Sequence, residues 1–198
     1  MQQEDPYSGY EYQKLAVIPV GIALNLALGG LVAAFKLPIY LDAVGTIVVT
    51  MLTGWRVGMV VGVSSFVLAS VLISPAYIYF VASQAAIALY VHFVGWTFRA
   101  FINLWRSIPA GIGLGIVACL VSAPVIIFEL QGAAGSGRDF LTALLIGAGA
   151  RKSVAVLLSG FVSEPVDKTI QLLISLSLVR SFPRRVLIRF PHRVCVGN

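Results

Sequence analysis

The sequence predicts an all-α fold: a polytopic membrane protein, a bundle of six transmembrane helices with both termini cytoplasmic. Three observations predict it. Of 198 residues, 59% are hydrophobic and only 11% are charged, against about 25% charged in soluble domains. The apolar residues fall in long runs nearly free of charge, and the mean hydropathy is +0.94; such runs span a bilayer core of roughly 30 Å. The basic residues collect at one set of run ends, as they do on cytoplasmic faces. A single transmembrane domain fits residues 1–198, with a cytoplasmic N-terminal tail over 1–13 and a basic cytoplasmic tail over 183–198.

The runs follow in order. Span one covers about Leu15 to Phe35 and ends at Lys36 and Pro38. "LPIYLDAVGT" leads into a shorter apolar run, span two, which closes at Thr53. "GWR", Gly54 to Arg56, is a tight turn. Span three runs from Val57 to Ile73 and stops at Ser74-Pro75; span four runs from Ile78 to Phe98. A polar connector, Arg99 to Arg106, precedes span five, Ile108 to Glu129. "QGAAGSGRD" is a Gly-rich loop.

The last third is broken. Phe140 to Val162 is apolar but interrupted by Gly147, Gly149 and Arg151-Lys152, which reads as short helical pieces at the outer face or re-entering. Ser163-Glu164-Pro165 reads as a helix start: a capping residue, a proline in the first turn, then Asp167 near the positive end of the dipole. Pro165 to Phe182 is 18 residues, about 27 Å of helix, which suffices for span six. The alternative makes Phe140 to Val162 a seventh span and puts the tail outside. Charge counting goes against it. Six spans collect Lys14, Arg56, Arg99, Arg106, Arg180, Arg184, Arg185, Arg189 and Arg193 inside. Lys36, Arg138, Arg151, Lys152 and Lys168 stay outside. Trp55, Trp96 and Trp105 fall at the inner boundary, and Tyr40, Tyr77 and Tyr79 at the outer one.

Several classes are excluded. The acidic start, MQQEDPYSGYEYQK, followed by an apolar run long enough to span, is not expected to be a cleavable signal. Cys119 and Cys195 make no disulfide framework, and His92 and His192 have no ligand spacing, so no metal site is expected. The net charge of +6 sits largely in the tail, which suits a membrane face rather than nucleic acid. No nucleophile elbow, phosphate loop or metal motif is present, so neither catalysis, nor a cofactor, nor ATP hydrolysis is expected of this chain.

The residues that carry chemistry are few. Glu164, Asp167 and Lys168 lie within five positions, and ionisable groups inside a membrane segment point first to function. They either form a self-neutralised cap, with Lys168 paired to Glu164, or border a polar cavity open to the outside; Arg138, Asp139, Arg151 and Lys152 nearby favour the cavity. Asp42 either caps span two or faces a ligand. Tyr40 either stacks on a ring or anchors the interface, and Asn25 bonds a neighbouring helix or a ligand. Tyr79, Ser83 and Gln84 offer polar groups from span four. Ala23 and Ala27 share a face of span one, where small side chains let a helix approach, whether within the bundle or from a partner.

"LPIYLDAVGT", "SAP" (Ser122 to Pro124) with "GSGRD" (Gly135 to Asp139), and "EPVDK" leading into "LVRSFPRR" resemble the substrate-binding S components of energy-coupling factor (ECF) vitamin transporters. The likeness runs from Leu15 to Pro191. It implies six helices in a prokaryotic plasma membrane and a vitamin or vitamin precursor bound near the outer face. It also implies a coupling protein (T component) that docks on an alanine pair, here Ala23 and Ala27, and joins two cytoplasmic ATPases. Such proteins are thought to topple in the membrane with their ligand. In riboflavin-binding members a lysine shortly after a proline of the last helix touches the ligand; Lys168 after Pro165 is similarly placed, and its alanine variant is expected to lose affinity without unfolding. Asp167 stands where those members have asparagine, a departure from the flavin pattern. Cobalamin or a corrinoid precursor, pantothenate, a thiamin fragment and riboflavin all stay open. Two other classes compete: a membrane-embedded enzyme using Glu164 and Asp167 on a lipid-like substrate, and a non-catalytic scaffold subunit.

Overall fold

The computed structural model describes residues 8–35, 37, 39–130, 138–187 and 190. Among them all regular structure is helical. The elements are α1 (Ser8–Ala34), α2 (Val44–Thr53), α3 (Trp55–Leu72), a 3-10 segment (Pro75–Phe80), α4 (Val81–Phe98), α5 (Leu104–Phe128), α6 (Arg138–Gly147), α7 (Lys152–Ser181) and the short α8 (Arg184–Leu187). Lys36, Pro38, the loop 131–137 and the tail residues Arg189, His192, Arg193 and Cys195 lie outside the described residues.

Four segments are long and apolar enough to cross a bilayer: Leu15–Ala34, Trp55–Leu72, Pro75–Phe98 and Trp105–Phe128. Their outward faces carry large apolar side chains, among them Val20, Val71, Phe93, Trp105 and Phe128. In water so much exposed apolar surface would drive aggregation; in lipid it is the expected exterior. The chain is a membrane protein on these grounds. Helix α7 has 30 residues, about 45 Å, but it carries Lys152, Glu164, Asp167, Lys168 and Arg180.

Helix α2 is the centre of the bundle. It has 10 residues, about 15 Å, and every one is buried. A helix apolar on all sides must be wrapped by protein, and α1, α3, α4 and α7 surround this one. Two of its threonines are satisfied within the helix: Thr50 Oγ1 donates to the Thr46 carbonyl and Thr53 Oγ1 to that of Val49, each at 2.7 Å. The turn expected at "GWR" is present. Gly54 has φ 93°, a conformation that only glycine adopts without steric cost.

The apolar segment Leu15–Ala34 lies where span one is expected, and its helix extends back to Ser8. One expectation is corrected: the last long helix begins at Lys152, not at Ser163, and runs unbroken through Pro165. Of the stretch read as short pieces, only Arg138–Gly147 is a separate short helix. The break falls at Ala148–Arg151, where Gly149 has φ 92° and Arg151 is extended. Ser163 is no cap; its hydroxyl donates back to the Ser159 carbonyl at 2.8 Å.

The reason lies in packing against α5. Gly111 and Gly115, four apart on α5, face Thr169 and the Glu164–Pro165 backbone. At either glycine a Cβ would overlap α7. This small-xxx-small contact holds α7 helical across a residue that lacks an N–H. Gly115→Ala should therefore lower the midpoint of thermal unfolding in detergent, at a cost of about 1–3 kcal/mol from overpacking. Gly147→Ala should change it little, because nothing lies within 4 Å of the added methyl. Equal effects at the two sites would disprove the contact.

Candidate functional site

Glu164, Asp167, Lys168, Gln171 and Ser175 recur at spacings of three and four along α7 and are all buried. They therefore form one polar stripe that faces the bundle interior. Across from it runs the non-helical connection between α1 and α2. Irregular backbone shielded from water must find partners inside the protein, and the stripe supplies them. Asp167 Oδ1 accepts from the Tyr40 amide at 2.8 Å and from the Leu41 amide at 3.4 Å. Gln171 Oε1 accepts from the Ala43 amide at 2.9 Å, and Ser175 Oγ donates to the Val44 carbonyl at 3.2 Å. Leu41 has φ 49°, a sparsely populated region for a residue with a Cβ.

The charges interlock on the same stripe. Lys168 Nζ donates to Asp167 Oδ2 at 2.8 Å and to Asp42 Oδ1 at 3.2 Å, and Glu164 Oε2 stands 4.0 Å away. The ammonium also lies 5.5 Å from the Tyr40 ring centroid. Gln171 Nε2 donates to Asp167 Oδ2 at 2.7 Å and to Asp42 Oδ1 at 3.4 Å. Arg138, at the start of α6 and 3% exposed, reaches in from the side. Its guanidinium donates to Glu164 Oε1 at 3.2 Å, to Ser159 Oγ at 3.3 Å and to the Val156 carbonyl at 2.6 Å. The pairing within α7 between Lys168 and Glu164 is thus the longest of the lysine's three.

Asn25 builds a second network. Its Oδ1 accepts from the amides of Gly45 (2.7 Å) and Thr46 (3.3 Å), and its Nδ2 donates to Thr46 Oγ1 (2.9 Å) and Ser65 Oγ (3.1 Å). Thr46 Oγ1 donates onward to Gln84 Oε1 at 2.8 Å. Helix α2 has no side-chain cap at Ala43. Its first free amides are met by Asn25 from α1 and Gln171 from α7, not by Asp42. The capping role read for Asp42 is corrected accordingly.

Beside these networks lies a cavity of about 220 Å³ between α1, α3, α4, α5 and α7. Its aromatic wall is Tyr40, Phe66, Tyr77 and Phe80; its polar wall is Asp42, Ser83, Gln84, Ser122, Glu164 and Lys168. Ser83 is 8% exposed, and its Oγ has no hydrogen-bond partner. Among the described residues it is the one buried side-chain oxygen or nitrogen in that state. Such orphans are rare in native interiors because each costs about 1–3 kcal/mol.

The residues singled out in the sequence divide. Tyr40, Asp42, Gln84, Glu164 and Lys168 line the cavity. Asp167 does not; it is 0% exposed and stands behind the lining, its four bonds directed at Tyr40, Leu41, Lys168 and Gln171. Asn25 is likewise outside this lining. Tyr79 is 46% exposed and away from the cavity; the 3-10 winding of Pro75–Phe80 brings Tyr77 in instead, edge-on to Phe66 at 5.3 Å. Ala23 and Ala27 lie exposed on the outward side of α1, while Gly21, Asn25 and Gly29 face inward. Gln171 was not singled out, although its position four after Asp167 was a usable signal. The aromatics from α3 and the 3-10 segment gave none, since only tertiary structure brings them together.

Asp167→Ala should cost about 3–5 kcal/mol, since it leaves a buried ammonium and two amides short of a partner. Lys168→Ala should also destabilise, because three carboxylates lose their shared cation. Unfolding midpoints in detergent check both, and wild-type stability of either variant would contradict the geometry. Compared with family models, curated proteins and solved structures, the chain matches none of them.

Proposed function

We propose that the chain is a membrane-embedded solute-binding subunit, the S component of an ECF-type importer in a prokaryotic plasma membrane. It captures a vitamin or vitamin precursor at the outer face. It delivers the molecule inward in complex with a coupling protein and two ATPases, and is not itself an enzyme. The observation that carries this reading is the cavity with its unpartnered Ser83 hydroxyl, a group that a bound molecule would satisfy. A cavity of about 220 Å³ lies below the 300–1,000 Å³ usual for drug-sized ligands. That favours a single small ring system and disfavours a corrinoid.

The topology belongs to the same proposal. α1, α2, α3, α4, α5 and α7 make six crossings, and α6 lies at the outer face. Helix α2 need not have about 20 apolar residues, because protein rather than lipid surrounds it. Arg180 donates to the carbonyls of Phe101 and Ile102 at 2.9 and 2.8 Å. This gathers the end of α7 and the α4–α5 connector, with Arg99 and Arg106, at one face. Positive charge there supports a cytoplasmic assignment. The exposed Ala23 and Ala27 are the docking surface for the coupling protein.

The competing acid–base reading needs Glu164 and Asp167 together on a substrate. Only Glu164 lines the cavity, and Asp167 is occupied by backbone amides. That counts against it. Native mass spectrometry of the protein purified from its own host should find one small molecule bound, with a coupling protein and ATPases copurifying. Ser83→Ala should weaken binding of that molecule about tenfold, the value of one hydrogen bond near 1.4 kcal/mol, while the unliganded protein melts no lower than wild type. An empty protein, or unchanged affinity in Ser83→Ala, would contradict the reading.

A further inference from the structure

The charges around the cavity do not balance. Three carboxylates, Asp42, Glu164 and Asp167, meet two cations, Lys168 and Arg138, and Glu164 and both cations are at most 5% exposed. Among the described residues no other ionised side chain lines the cavity. The N-terminus of α2 adds at most about half a positive charge, and its first amides already serve Asn25 and Gln171. With all three acids ionised one negative charge is left in a low-dielectric setting, and either a proton or a guest cation must meet it.

The excess is also placed where a guest can reach it. Asp167 accepts four hydrogen bonds and is closed off. Among the described residues Asp42 is bonded through Oδ1 alone, and Glu164 Oε2 has only the lysine 4.0 Å away. Both carboxylates line the cavity and keep acceptor capacity beyond these contacts. Lys168 is the reverse case: its ammonium is enclosed by three carboxylates and has little left to offer an anion. Tyr40, Phe66, Tyr77 and Phe80 form the remaining wall, and aromatic faces attract cations. The unpartnered Ser83, more than nine-tenths buried on the α4 side, is an independent sign that a guest completes the site.

We infer that the guest is a small organic cation, an amine or protonated nitrogen heterocycle on one ring, whose charge meets Asp42 and Glu164 and whose ring packs on the aromatic wall. This rests on the solute-binding reading and narrows it. Lys168 then orders the acids and does not itself bind the guest.

A charge series on one ring tests it: benzylamine, benzyl alcohol and benzoate, titrated against the full chain in phosphatidylcholine nanodiscs. Ala33→Trp, a substitution at an exposed position of the cavity wall, is the blocking control. Benzylamine should bind about tenfold tighter than benzyl alcohol, with benzoate weakest, and Ala33→Trp should abolish the difference. Glu164→Gln should bring amine and alcohol close together. Asp42→Asn should do the same and covers the case in which the first variant fails to fold. Equal binding of amine and alcohol, as a proton on Glu164 would produce, or tightest binding of benzoate, overturns the cation inference and leaves solute binding standing. No binding sensitive to Ala33→Trp by any of the three overturns both.

Discussion

The bonds from Asp167 to the amides of Tyr40 and Leu41 are the interaction on which the rest depends. A polypeptide that leaves helical geometry away from water must replace its own hydrogen bonds or lose stability for each one missing. Residues 39–43, partly to fully buried, leave it, and side chains from α7 replace the bonds. A carboxylate so used is itself a buried charge and needs a cation. Lys168 supplies it and in turn draws in Asp42. Arg138 similarly ties Glu164 to α6. The cluster therefore follows from one irregular segment of backbone. The cavity is the space that this segment and the surrounding helices leave open.

The bundle is polar where helices meet and apolar where they face outward. Lipid gives helices little hydrophobic reason to associate, so shape and hydrogen bonds must hold them. Gly111 and Gly115 supply shape between α5 and α7. Asn25, Thr46, Ser65 and Gln84 join α1, α2, α3 and α4 through side-chain bonds near the bundle centre. A glycine at 45 allows α2 to cross α1 against the Gly21 carbonyl. These contacts leave α2 no lipid-facing side, which explains how a 10-residue helix can sit at the core.

Much of this was legible in the sequence because hydropathy is a one-dimensional signal. The apolar runs, the Gly54 turn and the end at Ser74-Pro75 all appear where composition changes. The polar cluster was legible for the same reason: Glu164, Asp167 and Lys168 stand out against an apolar background. What could not be read was which local signal packing would override. Ser163-Glu164-Pro165 has every mark of a helix start, yet α5 holds the segment as mid-helix. Nor could the roles within the cluster be separated. Asp167 and Glu164 lie three apart on one face, and only the position of residues 39–43 makes one a backbone partner and the other part of the cavity wall. Tyr77 and Tyr79 differ only through the winding of the 3-10 segment.

The most direct measurement is amide hydrogen–deuterium exchange across residues 37–46 of the wild-type chain in lipid nanodiscs. The Tyr40 and Ala43 amides should exchange as slowly as those of α2, although they belong to no helix, because Asp167 and Gln171 hold them. Exchange there at the rate of an unstructured loop, with α2 still protected, would contradict the anchoring of the connection by α7 and remove the physical basis of the cavity.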